Sequence, residues 1–267
     1  MKYQGADTSP WSAYALRLMA GSLVLLPYFR RGAMPWHRAA IVAVLLNIIP
    51  GTVMYGSVNH LTTGFVAICF AGTPMVAGII RALLGMEKFG ALMVASSVAA
   101  VVGIYLMVHG SQIIAAQPVA MAGCIGGVIS YATGYVILER WSEGGRAMVP
   151  VNLLSLLFLS PALVAPPFPS LSSVGIGVVL GIAVTGFGSL IFGHLVVAIG
   201  AEKAAYTDVI IGALALLLGG WFGHEPLTGY TLGGASFVLL AVLMRFVFPG
   251  STKPMPGVVS SPEGIIA

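Results

Sequence analysis

Two apolar runs of 24 and 19 residues, Thr62–Gly85 and Gly90–Val108, flank one charged pair, Glu87-Lys88, in the stretch Gly72 to Val108. A helix rises 1.5 Å per residue, so about 20 apolar residues cross a bilayer core of roughly 30 Å. The stretch reads as a membrane helical hairpin. Its layout returns between Asp208 and Phe246, where Glu225 takes the place of Glu87 at an offset of 138 residues (225 − 87). Two copies of one unit are visible before any single residue is interpreted.

The rest of the chain has the same character. Of its 267 residues 58% are hydrophobic and 7% charged, against about 25% charged in soluble domains. A soluble fold cannot cover that much apolar surface, so the bilayer is the expected solvent. About nine runs reach spanning length: Trp11–Phe29, Ala39–Val58, Thr62–Gly85, Gly90–Val108, Pro118–Ile137, Val149–Ala165, Val174–Ile199, Ala204–Trp221 and Leu227–Val247. The polar start, Lys2 to Pro10, followed by a run of spanning length, does not match a cleavable signal peptide.

The basic residues alternate along the chain. Arg30, Arg31 and Arg38 follow the first run, Lys88 the third, Arg140 and Arg146 the fifth, Lys203 the seventh, and Lys253 lies in the tail. The intervening connections carry no Lys or Arg. Positive residues collect on the cytoplasmic side, so the C-terminus is expected there. The net charge of +4 therefore reports orientation, and no nucleic-acid partner is expected. Cys69 and Cys124 lie inside apolar runs and read as small buried thiols. No metal-ligand spacing, redox CxxC or phosphate loop occurs, so no cofactor and no enzymatic activity are expected.

Within the runs, Asn47 and Pro50 mark an expected kink. Thr73-Pro74 lies near the middle of the third run, with Arg81 low enough to snorkel towards the cytoplasm. The Gly-dotted run from Pro118 suits close helix approach. The tail from Pro249 is rich in Pro, Ser and Gly and reads as disordered. Aligning Glu87 with Glu225 leaves Pro118–Ile137 without a counterpart, so the first half is read as lacking its opening helix. A start codon assigned too late is the preferred explanation, and a true nine-helix chain the alternative.

The repeated element is an apolar helix with a central Pro or its equivalent, Gly-x-Glu at the turn, then a small-residue helix. It spans Pro74 through Glu87 to Gly103, and Gly200-Ala201 through Gly212 and Glu225 to Ala241. It resembles the EamA domain of the drug/metabolite transporter superfamily, and Arg17 is similar to an Arg of that family's second helix. Gly212 departs from the pattern, which usually has Pro there. The resemblance implies an all-α membrane protein built from two inverted repeats of a five-helix unit, here about nine transmembrane helices with the first missing. Residues 1–108 would form the first repeat, 118–248 the second, and 249–267 a cytoplasmic tail. It further implies a secondary transporter moving a small metabolite, such as an amino acid or drug-like compound, in the export direction. The rival reading is a non-transporting membrane scaffold or regulatory protein, or an inactive truncated transporter. Expected partners are a small-molecule substrate and the lipid bilayer of a bacterial plasma membrane, with room for a homodimer.

Ionisable groups inside membrane helices cost about 2.5–3.5 kcal/mol to insert and are functional candidates by default. Arg17 lies about two turns from the outer end of its run and Asp208 about five residues from the cytoplasmic end. Both are expected to line a cavity, too far apart to pair; snorkelling for Arg17 and a Lys203 partner for Asp208 are the bland alternatives. Asn47, Thr73, Ser130, Tyr131 and Ser189 lie near mid-run and suit a partly polar cavity, although each alone could make an interhelical hydrogen bond. Pro74 and Gly212 are the hinge candidates. Glu87 and Glu225 are expected to cap turns, and His60 and His194 to sit at the interface.

Overall fold

The computed structural model describes residues 9–29, 33–56, 69–86, 90–109, 118–142, 144–164, 170–222 and 229–247. These form nine helical rods, and no strand occurs among the described residues. Helix α1 (Pro10–Leu25) runs into a 3-10 turn, Leu26–Tyr28. Helix α2 begins as Trp36–Ala43, passes through a π turn at Val44–Ile48, and ends as Ile49–Gly56. Helices α3 (Thr73–Leu83), α4 (Ala91–His109) and α5 (Pro118–Trp141) follow. Helix α6 (Met148–Leu159) is flanked by 3-10 turns at Gly145–Ala147 and Ser160–Leu163. Helix α7 joins Leu171–Leu180 to Ser189–Ile199 through a π turn, Gly181–Gly188. Helices α8 (Ala201–Phe222) and α9 (Gly229–Val247) complete the described chain.

Local chemistry explains the boundaries. Pro10 sits in the first turn of α1, where its missing N–H costs nothing. Pro50 removes the donor that would reach the Leu46 carbonyl, and its ring crowds that turn. The wider π turn just ahead of it accommodates the conflict, so the expected kink takes this specific form. At the end of α3, Met86 N–H donates to Arg81 O at 2.9 Å and Gly85 N–H to Ala82 O at 3.0 Å. Gly85 adopts φ +69, the left-handed conformation that such a helix end requires.

Four rods are long and apolar enough to cross a membrane by length and composition: Trp36–Met54, Ala122–Trp141, Gly145–Leu163 and Leu171–Ile199. Large apolar side chains face outward, among them Leu83, Leu171, Phe158 and Leu243, while Ser96, Ser97, Asn152, Ser155 and Glu202 are buried. Apolar outside and polar inside is the arrangement that lipid, not water, selects.

Two of the rod pairs are antiparallel. Helix α4 lies along α9, with the backbone of Gly103 against Gly234 and Val238. His109, ending α4, meets Tyr230 at the start of α9 with ring centroids 5.9 Å apart. Helix α1 packs on α6, and Ser12 near its start donates to Ala162 O beyond the end of α6 at 2.7 Å. Helix α1 also contacts the π turn of α7, α2 contacts α6, and α3 is held between α5 and α8. The bounds of α4 and α9 differ by one constant: 229 − 91 and 247 − 109 are both 138. The same offset carries Pro10–Leu25 onto Met148–Leu163 and the π turn of α2 into that of α7.

Candidate functional site

Two polar clusters lie inside the bundle. The first joins α1, α2, α6 and α7. Asn47 Nδ2 donates to Asn152 Oδ1 at 3.0 Å and to Ser155 Oγ at 2.9 Å. Asn152 Nδ2 donates to Ser189 Oγ at 2.9 Å and to the Thr185 carbonyl at 3.3 Å. Tyr14 OH donates to the Asn47 carbonyl at 2.8 Å, and half-buried Arg17 donates through Nε to Thr185 Oγ1 at 2.9 Å. Asn47 and Thr185 both lie in π turns, where the widened backbone ladder presents carbonyls to side chains.

The contacts come in pairs related by the 138-residue offset. Tyr14 and Asn152 are equivalent, as are Arg17 and Ser155, and Asn47 and Thr185. Tyr14 binds the Asn47 carbonyl, and Asn152 binds the Thr185 carbonyl. Arg17 binds the Thr185 side chain, and Asn47 binds the Ser155 side chain. Close approach supports the geometry: a Cβ added to Gly21 would lie 2.8 Å from both the Gly181 carbonyl and Thr185 Cβ.

The second cluster joins α5, α7 and α8. Tyr135 OH donates to Asp208 Oδ2 at 2.9 Å. Tyr131, Tyr135 and Phe192 lie in series with tilted rings, centroids 4.4 and 4.5 Å apart, and Phe70 meets Tyr131 edge-on at 5.4 Å. Tyr131, packed against Tyr135 and Phe70, extends this cluster beyond Asp208's own partner. Asp208 takes Tyr135, not Lys203, as its partner, and it forms no ion pair with Arg17.

The other candidates fall outside these clusters. Ser130 Oγ donates to Leu45 O at 3.0 Å and ties α5 to the π turn of α2. Thr73 is fully buried, and its hydroxyl finds no hydrogen-bond partner among the described residues. Pro74 occupies the first turn of α3, just after a turn at Gly72, which places it at a break in the rod. Helix α8 continues through Gly212 without interruption. Glu87, Glu225 and His60 lie outside the described residues, as does the tail. His194 is exposed and accepts from Gly145 N–H at 3.0 Å through Nδ1.

Arg81 corrects one expectation, since it does not snorkel. It is buried and ion-paired with Glu139, whose other oxygen accepts from Ala201 N–H at 2.9 Å. The pair forms because α3, α5 and the start of α8 converge there, and a carboxylate at a helix N-terminus complements its dipole. Gly200 completes the junction: with φ +89, a Cβ on it would lie 2.6 Å from the Arg81 guanidinium. Glu139 was not legible as a site residue, because next to Arg140 it reads as an ordinary helix end. Asn152 and Ser155 were equally silent, and only the 138-residue offset from Tyr14 and Arg17 signals them.

No curated protein matches the chain. Among 28 matching solved chains, one crystal structure of another protein aligns with a TM-score of 0.79, 14% identity, and coverage of 92% of this chain and 91% of that one. At that identity the likeness is one of fold. The apolar exterior and spanning helices mark this as a membrane protein. Over residues 1–109 the chain matches the EamA-like transporter family, and the EamA resemblance read from the sequence holds for that stretch.

Proposed function

We propose that the chain is a secondary transporter that moves a small metabolite across a bacterial plasma membrane by alternating access between two inverted repeats. The observation that carries this reading is the exchange of contacts between offset-related residues. Each half inserts a donor at the π-turn carbonyl of the next rod along its own chain, Tyr14 at Asn47 and Asn152 at Thr185. Two equivalent contacts also join the halves, both donated from the first: Arg17 to Thr185 and Asn47 to Ser155. Equivalent rods run antiparallel, as inverted repeats require, and a five-helix unit is odd in number. Helix α5 has no counterpart among the described residues.

Such a frame has two arrangements of similar energy, related by exchanging the roles of the halves. Interconversion opens the centre first to one side and then to the other. The basic connections support a cytoplasmic C-terminus, and export of an amino acid or drug-like compound fits the family match. Arg17, Asn47, Ser189, Tyr131 and Asp208 are the residues assigned to cargo, with Pro74 and Gly212 as hinges.

Counterflow in proteoliposomes tests this reading. The chain should exchange a labelled amino acid or drug-like compound across the bilayer, and Asn47→Ala should slow exchange at least tenfold while the protein remains inserted. Absence of exchange for every compound in a broad metabolite panel would favour a membrane scaffold instead.

A further inference from the structure

Asp208 is a carboxylate inside the bundle that one hydrogen bond reaches among the described residues. Its Oδ2 accepts from Tyr135, and Oδ1 receives no hydrogen bond among the described residues. No Lys or Arg lies within ion-pair distance of it among those residues, in contrast to Glu139, which Arg81 neutralises. The residue is half-buried. A carboxylate with so few partners inside a membrane protein is costly and is kept where a ligand or water receives it.

The walls beside it share one character. Tyr131, Tyr135 and Phe192 follow one another with tilted rings at 4.4 and 4.5 Å, and Phe70 meets Tyr131 edge-on. Aromatic faces carry negative potential, and a carboxylate bound to one of these tyrosines adds a charge that attracts a cation and repels an anion. An organic ammonium fits better than a hydrated metal ion, because rings replace its weak hydration at little cost and supply no oxygen ligands.

We propose that Asp208, with Tyr131, Tyr135 and Phe192, forms a seat for a cationic nitrogen group, so that the cargo carries an ammonium or quaternary amine. The assignment rests on the transport reading only in treating this interior as open to cargo.

The test uses the full chain in lipid nanodiscs and tetramethylammonium as the probe, with tert-butyl alcohol as its uncharged counterpart and sodium as competitor. Wild-type protein should bind tetramethylammonium saturably in equilibrium dialysis and ignore the alcohol. Asp208→Asn should weaken binding at least tenfold, and Tyr131→Leu, which keeps an apolar side chain without a π face, several-fold. A second measurement uses wild-type protein alone: tetramethylammonium should slow carbodiimide modification of Asp208, followed by mass spectrometry. Failure to bind, equal binding by Asp208→Asn, no protection of Asp208, or protection by sodium alone would overturn the seat. Binding without exchange of any cargo would retain the seat and remove the transport reading.

Discussion

Arg81 and Glu139, at the ends of α3 and α5, form an ion pair whose side chains are only 7% and 8% exposed. Glu139 also receives the first backbone N–H of α8, so one carboxylate fastens three helices at one end of the bundle. In the proposed orientation that end is cytoplasmic.

Removing one partner strands the other as a buried charge, which costs about 3–5 kcal/mol. Arg81→Ala and Glu139→Ala should each lower the thermal midpoint of detergent-solubilised protein. Glu139→Gln keeps an acceptor for Ala201 N–H and should cost less than Glu139→Ala. The double variant Arg81→Met/Glu139→Leu should recover much of the loss, because two well-packed apolar groups leave no charge unpaired. Equal melting of wild type and both alanine variants would remove the pair from the stabilising contacts.

The central network makes a separate claim on stability. Asn152 holds Asn47, Ser189 and the Thr185 carbonyl together while 1% exposed. Each buried polar group left without a partner costs about 1–3 kcal/mol, so Asn152→Leu should destabilise by several such units. Tyr14→Phe removes the donor to the Asn47 carbonyl and should cost about 0.5–1.5 kcal/mol. Chemical denaturation in mild detergent, read by tryptophan fluorescence, checks the order of the two.

Helix placement was largely legible because length and apolarity decide it. The run expected over Gly90–Val108 is α4, Ala91–His109, and the offset taken from Glu87 and Glu225 carries it onto α9. The π turns were not legible. Pro50 announced a disturbance in α2, but its counterpart in α7 contains no proline, and glycines alone do not specify a wider turn. Arg81 was misread for a related reason: its partner lies 58 residues away, and nothing local distinguishes a paired Arg from a snorkelling one. Asn47, Ser189 and Arg17 were identified singly, whereas Asn152 and Thr185, which join them, emerge only once α6 and α7 meet.

Orientation offers a direct check. A reporter fused after Lys253 should be cytoplasmic, and one inserted between Pro166 and Ser173, a connection without Lys or Arg, should be outside. Labelling that placed the Arg140–Arg146 connection outside would reverse the assignment and move the Arg81–Glu139 junction to the external face.

Arg17 supports the most demanding prediction. An Arg two turns inside a membrane helix is costly unless an acid, a cavity or water receives it. No acidic residue occurs between Ala39 and Gly85, and the partner that the structure gives, Thr185 Oγ1, is neutral. A hydroxyl orients the guanidinium through Nε without cancelling its charge, and it leaves the paired terminal nitrogens for a planar acceptor such as a carboxylate. Arg17→Ala should therefore abolish transport of acid-bearing substrates, with the protein still folded and inserted. Arg17→Lys should retain part of the activity, since the charge persists while the planar fork is lost. Thr185→Val should raise KM several-fold by loosening the guanidinium. Normal counterflow of acid-bearing substrates by Arg17→Ala would leave Arg17 as a helix-to-helix tie between α1 and α7 and nothing more.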